Sequence, residues 1–417
     1  MGRFYSDVVE TALRYLYDDV CAGKGAECAE YLRQASEAGD GDASCILARC
    51  YGGSEFVWSG HNFPEDYGKF VKYLHLSVKQ GSALGVLLAV RLDKYTDKLK
   101  REAPISEPQE AFRIVLQKAE AGEPFSQYMI GNAYFWRDFQ DIEKKYQTSF
   151  ADKAAYMAYV TENVLKCEAW FQRALQGGCH TVLNNLASFY KTGCDGIVKP
   201  QPARVKEVYL QEAQRGYPEA LWHYADIIDD TDPKEALRLY EQAAQRGQLE
   251  CWQIVGDAYM IGKLRQMDVD HAIACYEKAA QQVVDTRWKI GAVSQLGYIY
   301  CEGHRWGRVR EGEKAFPYLQ YAVMHGNKRR IGCLGKCYFY GWGTERDFEK
   351  ARECFETADL YDPEVYYLHG LIYVQGLGVA EDIEKGVLLL KSTDNLPEAK
   401  EELKKYKKKF LGPWVRR

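Results

Sequence analysis

Leu334-Gly335-Lys336-Cys337-Tyr338-Phe339-Tyr340-Gly341-Trp342-Gly343, followed by Asp347 and by Glu349-Lys350-Ala351, holds the pattern from which the rest of the chain is read. A bulky residue precedes a small one, Tyr follows three positions later, and Gly three after that. The same arrangement returns at Val255-Gly256-Asp257-Ala258-Tyr259 with Gly262, at Leu296-Gly297-Tyr298-Ile299-Tyr300 with Gly303, and at His369-Gly370-Leu371-Ile372-Tyr373 with Gly376. Weaker copies centre on Ala48, Ala89, Gly131, Ala187 and Ala225, and a degenerate one lies at Leu16-Tyr17. Seven of the nine positions three beyond the small residue are Tyr. Self-similarity at this period marks a repeat architecture.

A second motif alternates with the first. Tyr209…Ala213…Gly216, Tyr240…Ala243…Gly247 and Tyr318…Ala322…Gly326 place an aromatic, an Ala and a Gly at spacings of three and four. That is the period of an amphipathic helix, so each repeat is expected to be two antiparallel helices, A then B. Gly39, Gly81, Gly122, Gly216, Gly247 and Gly326 sit where a left-handed residue ends helix B, and Gly193, Gly262, Gly303, Gly341 and Gly376 where one ends helix A. Asp232-Pro233 and Asp362-Pro363 are helix starts. The small residue inside helix A lets helix B approach. Neither helix buries its apolar face alone, so stacking of neighbours must do it.

Composition agrees. The 417 residues are 47% hydrophobic and 27% charged, with only 12 Pro to interrupt helices. Fifty-five basic against 59 acidic residues leave a net charge of −4, which argues against phosphate neutralisation, and hence nucleic acid, as the source of binding energy. No run of about 18 apolar residues is present to span a membrane. The first seven residues lack the apolar core of a secretory signal. The 13 cysteines cannot all pair within one chain, and reduced thiols in a cytoplasmic protein are the simplest reading.

The chain resembles the Sel-one-like repeat (SLR) family, a branch of the tetratricopeptide-like superfamily. The resemblance rests on L-G-x-x-Y-x-x-G in helix A and on the Lys-Ala opening of helix B, and is strongest at Gly335–Ala351 and at Gly370-Leu371-Ile372-Tyr373-Val374-Gln375-Gly376-Leu377-Gly378-Val379 followed by Asp382 and Glu384-Lys385-Gly386. It implies an all-α solenoid of nine to ten helix pairs in a right-handed superhelix. Members act as protein-interaction scaffolds, often in bacteria. Secreted members carry Cys directly after the Ala of helix B; here Ser36, Leu175, Gln214, Ala244, Ala280 and Val323 stand there, which strengthens the reduced, cytoplasmic reading.

Counting from the small residue of helix A, positions −4, −1 and +3 form a repetitive apolar stripe, the expected core. Positions −3, +1 and +4 form a second stripe whose chemistry changes from repeat to repeat, and the resemblance implies that this one faces a concave groove. Its candidate partner-binding residues are Tyr128, Asn132, Asn184, Ser188, Lys191, Trp222, Asp226, Gln253, Asp257, Tyr298, Lys336 and Tyr367. Aromatic and amide groups suit recognition of a protein or peptide. Residues 1–395 are expected to form one solenoid with an insertion near 135–165, and the basic residues 396–417 a capping helix and tail. The loops 52–67 and 303–312 carry Trp58, Phe63, Arg305 and Trp306, either as a contact rim or folded back on their own helices.

No cofactor, metal or catalytic site is expected. Cys333 and Cys337 lie one helical turn apart without a second pair or His at zinc spacing, and read as buried thiols. A reader of single-stranded RNA is the alternative, opposed by Asp226, Asp229 and Asp257 against Lys191 and Lys336. A cysteine hydrolase would need a Cys–His pair for which no local signature exists.

Overall fold

The computed structural model describes residues 4–18, 24–136, 151–194, 197–262, 264–358, 362–410 and 412–417. Among them, helices alternate in ten A–B pairs, from Asp7–Leu13 with Gly25–Glu37 to Pro363–Gln375 with Ile383–Lys391. The chain divides into two compact units, Met1–Cys251 and Trp252–Arg417. The division falls where the helix Cys251–Ile261 begins. No helix among the described residues is long and apolar enough to cross a membrane.

The repeat is legible atom by atom in the pair Ile331–Tyr340 and Phe348–Glu356. A Cβ on Gly335 would stand 2.5 Å from the Phe355 ring and 3.0 Å from Cys354 Cβ, so helix B occupies the space the side chain vacates. Gly297 against Leu319, Gly256 against Tyr276 and Gly131 against Phe171 repeat the arrangement. The turn between the helices closes on the conserved-spacing Tyr: the Asp347 amide donates to the Tyr338 carbonyl at 2.9 Å, and Asp66, Asp268 and Asp382 do the same to Tyr51, Tyr259 and Tyr373. Those Asp side chains then cap helix B, Asp347 accepting from the Lys350 amide at 3.0 Å. Lys350 lies over the Tyr338 ring at 5.5 Å, as Lys69 does over Tyr51, Lys314 over Tyr300 and Lys385 over Tyr373. One Tyr thus serves as packing surface, carbonyl acceptor and cation platform.

At −4 and −1 the core stripe is buried: Leu183, Leu186, Leu221, Val255, Val293, Leu296, Ile331 and Leu334 are all inside, while Trp252 is half-buried; of the +3 Tyr, Tyr190 and Tyr373 are buried and Tyr51, Tyr134, Tyr259, Tyr300 and Tyr338 half-buried. The glycines assigned to the ends of B helices all have positive φ. Gly303 does not; it opens a short 3-10 turn, Gly303–Trp306, and Gly307 takes the left-handed conformation instead. Among the described residues, Cys28, Cys45, Cys50, Cys167, Cys179, Cys251, Cys301, Cys333, Cys337 and Cys354 are free thiols.

Two expectations change. Of the insertion near 135–165, residues 135 and 136 end the helix Pro124–Phe135, residues 137–150 lie outside the described residues, and residues 153–165 are the first part of the 24-residue helix Lys153–Gln176. The basic C-terminus is helical only over Pro397–Leu403. Beyond it Tyr406–Lys408 and Trp414–Arg416 pair antiparallel, Tyr406 opposite Arg416. Gly412-Pro413 ends any helix there. The hairpin lets Tyr406 join Val374, Val387 and Leu390 in the terminal core, while Arg416 donates to the Val374 carbonyl at 2.8 Å.

If the close approach at the small residue holds each pair together, Gly335→Val destabilises the second unit by about 1–3 kcal/mol. A urea titration should show a lower midpoint at an unchanged slope.

Candidate functional site

In the first unit, much of the candidate stripe is inside the protein. Tyr128 and Asn132 are 4% and 1% exposed, so neither is a surface for a partner. The reason is Arg49, a fully buried guanidinium at the +1 position of its repeat. It donates to Tyr17 Oη at 2.8 Å, Tyr128 Oη at 3.3 Å and the Phe56 carbonyl at 3.2 Å, among the rings of Tyr17, Phe56, Phe125 and Tyr128. Tyr128 is thus held as a partner for a cation, and Asn132 accepts from Asn185 Nδ2 at 2.6 Å.

The loop 52–67 supplies that Phe56 carbonyl and folds back on its own unit. Trp58 is buried, and its Nε1 donates to Gln248 Oε1 at 2.6 Å across 190 residues of sequence. Gln248 in turn donates to Ser59 Oγ at 3.0 Å and to Glu250 Oε2 at 2.8 Å. His61 lies edge-on to Trp58 with Nε2 3.3 Å from the Leu16 carbonyl, and burial pushes its pKa down to about 4. Of the other candidates here, Asn184, Ser188, Lys191 and Asp226 are exposed. Asn184 donates to Glu219 at 2.8 Å, Asp226 accepts from Tyr240 Oη at 2.7 Å, and Trp222 is half-buried with its ring stacked on His223.

In the second unit, Gln253, Asp257 and Tyr298 are joined by one chain of polar and ring contacts. Gln253 donates to Asp257 Oδ2 at 2.9 Å, and Asp257 Oδ1 accepts from Tyr276 Oη at 2.7 Å and Gln295 Nε2 at 3.2 Å. Gln295 Oε1 accepts from Arg330 Nη2 at 3.3 Å. The Arg330 guanidinium lies 3.6 Å above the centre of the half-buried Tyr298 ring, with Arg305 at 6.0 Å and Trp306 edge-on at 5.4 Å. Arg305 then bonds Glu302 Oε2 at 3.0 Å.

Lys336, taken from the sequence as a groove residue, is fully buried and out of reach of a partner. Its Nζ meets Glu302 Oε1 at 2.6 Å, Glu364 Oε2 at 2.8 Å and Asp362 Oδ2 at 3.0 Å. Arg310 completes the cluster on Glu364 at 3.1 Å. Three cations (Lys336, Arg305, Arg310) face three carboxylates (Glu302, Asp362, Glu364). Burial opposes charge on all of them. Even so, the carboxylates hold the Lys336 pKa above the ordinary lysine range, and Lys336 holds Asp362 and Glu364 below theirs. The Cys301 and Cys333 thiols lie beside Glu302. The Cys333 contact lowers the Cys301 pKa, but Cys337 and burial outweigh it and push it up; Cys301 and burial push the Cys333 thiol up. Tyr367 is half-buried and packs on the last two core clusters, apart from this network.

Glu302, Asp362, Glu364, Arg305, Arg310 and Arg330 were not in the sequence stripe. Asp362 was visible only as a helix cap, which it is, accepting from the Glu364 amide at 2.9 Å; its second oxygen carries the charge role. Arg330 sits just ahead of helix A, where the three-and-four spacing does not reach.

Comparison with known proteins identifies the repeat. Residues 25–40, 158–179, 227–248, 255–283, 291–327, 334–358 and 363–392 match the Sel1 repeat. The chain carries seven Sel1 repeats. Sel1-repeat proteins are helical scaffolds that commonly mediate protein–protein interactions. A curated relative, the ERAD-associated E3 ubiquitin-protein ligase component HRD3B of Arabidopsis thaliana, is 35% identical over 94 residues; the match covers 22% of this chain and 14% of that protein. Among solved structures, a protective antigen of uropathogenic Escherichia coli with an SLR fold is 19% identical over 95% of this chain and 86% of its own, at a TM-score of 0.44. A Sel1 repeat protein from Oxalobacter formigenes is 20% identical over 80% of this chain and 89% of its own, at 0.42. Helix pairs outside the seven matched segments, such as Gly41–Tyr51 with Tyr67–Lys79, fall where the sequence carries its weaker copy at Ala48.

Two outcomes follow from the charges in these Sel1 pairs. Lys336→Met leaves Glu302 and its neighbours short of a cation and should lower stability by about 3–5 kcal/mol. Because Asp362 and Glu364 are depressed, the stability they lend is present above about pH 4 and drains as pH falls below it; that acid slope should flatten in the variant. His61 is depressed too. Its contribution is complete above about pH 6.5 and falls as pH drops toward 4, so Trp58 fluorescence should report loosening of the loop over that window in wild type and not in His61→Gln.

Proposed function

We propose that the protein is a non-catalytic scaffold that binds another protein or a peptide along the facing stripe of its A helices. The observation that carries this reading is the half-exposed platform of Tyr298, Trp306, Arg305 and Arg330, where aromatic faces and guanidinium groups gather on a unit whose core is otherwise repetitive. Tyr, Trp and Arg are the residues that dominate protein interfaces: Tyr and Trp offer large contact area with few rotors to immobilise, and Arg a planar fork of donors. In the first unit Tyr128 and Asn132 are buried, and the accessible part of the stripe is Asn184, Ser188, Lys191 and Asp226. Membership of the repeat class, whose proteins commonly mediate such contacts, supports the reading.

Site-specific photocrosslinking tests it. A benzoylphenylalanine at Trp306 or Ser188 should capture a discrete protein from the native cell extract, and one at Glu353, exposed on a B helix, should not. Equal capture from all three positions, or none from any, would overturn the stripe as the contact face.

A further inference from the structure

Among the described residues, Arg330 is the one member of the second unit's polar face whose charge is left without a carboxylate. A guanidinium carries five N–H donors in a planar fork. Here one bond is made, to Gln295 Oε1 at 3.3 Å; Nε is buried without a partner, and no Asp or Glu oxygen lies within ion-pair distance among the described residues. Tyr298 supports the plane from one side at 3.6 Å. The neighbouring charges make matters worse: burial first, then the Arg329 and Arg305 cations, lower the Arg330 pKa. The contrast with Lys336 is plain, since that cation is matched by three carboxylates.

A half-buried cation with donors unused, beside two further arginines and braced on an aromatic ring, is unfavourable in the free protein and suited to an anion that arrives from outside. We infer that Arg330, braced by Tyr298 and flanked by Arg305, receives an acidic side chain, Asp or Glu, of the bound partner polypeptide. The Trp306 edge beside it offers apolar contact to a neighbouring residue of the same segment. This rests on the proposal that the stripe binds a protein, and adds the chemistry of the segment bound there.

The inference is tested by fluorescence anisotropy on the full chain at low ionic strength, where exposed charges are least screened. Three fluorescein-labelled probes serve: an amidated Leu/Glu peptide, the same peptide with Gln for Glu, and the Gln peptide with a free C-terminal carboxylate. The Glu probe should bind wild type at least about tenfold more tightly than either Gln probe, in line with a charge-assisted hydrogen bond. Arg330→Met should remove that preference, and Arg330→Lys should restore only part of it. Since Arg330 satisfies little in the free protein, Arg330→Met should melt at the wild-type temperature or above it. Equal binding of the Glu probe by wild type and Arg330→Met, a preference for the free carboxy terminus, or a fall of several degrees in melting temperature would each overturn the inference. A crosslinked partner retained undiminished by Arg330→Met would overturn it while leaving the scaffold reading intact, whereas absence of any crosslinked partner in wild type strikes the scaffold reading itself.

Discussion

In the pairs built on glycine, helix B comes close because helix A gives up its side chain there. Gly335 leaves room for Phe355, Gly297 for Leu319, Gly256 for Tyr276 and Gly131 for Phe171. The approach brings the Tyr at +3 to the start of helix B, where its carbonyl takes the capping residue's amide and its ring takes the first-turn Lys. Packing, turn closure and capping are therefore a single device. It explains why a repeat can drift widely elsewhere and still stack.

That device was readable in one dimension because each of its parts is local. Gly335, Tyr338, Gly341 and Asp347 fall within one turn-and-helix segment, and their spacing alone defines the A–B pair. The core stripe followed for the same reason. What escaped were the groups whose partners sit a repeat or more away. Tyr128 and Asn132 had the right register for a surface, but a buried Arg49 from two repeats earlier claims Tyr128. Lys336 had the register too, and is enclosed by Glu302, Asp362 and Glu364 from the repeats on either side. The C-terminal hairpin was masked by Lys-rich composition, which reads as a solvated helix until Tyr406 is seen to face the core.

The two buried cations, Arg49 and Lys336, solve the same desolvation problem in different ways. Lys336 is a compact ammonium and is neutralised by direct pairing. Arg49 has no carboxylate among the described residues and is instead wrapped in ring faces and phenol oxygens, which a delocalised guanidinium tolerates. Exchanging the two side chains would fail at both sites. Arg330 belongs to neither class, which sets it apart from the structural cations.

The bond from Trp58 to Gln248 alters what kind of object the first unit is. A helical array whose contacts run only between adjacent repeats tolerates fraying at its ends and acquires structure piece by piece. A tie across 190 residues removes that freedom, because the second pair is not complete until the end of the sixth has been made. During synthesis at roughly 5–20 residues per second, the indole of Trp58 waits about 10 to 40 s for its amide. Over that interval the Trp58 indole, buried in the finished unit, is without its acceptor, so the second pair settles only after the sixth has left the ribosome.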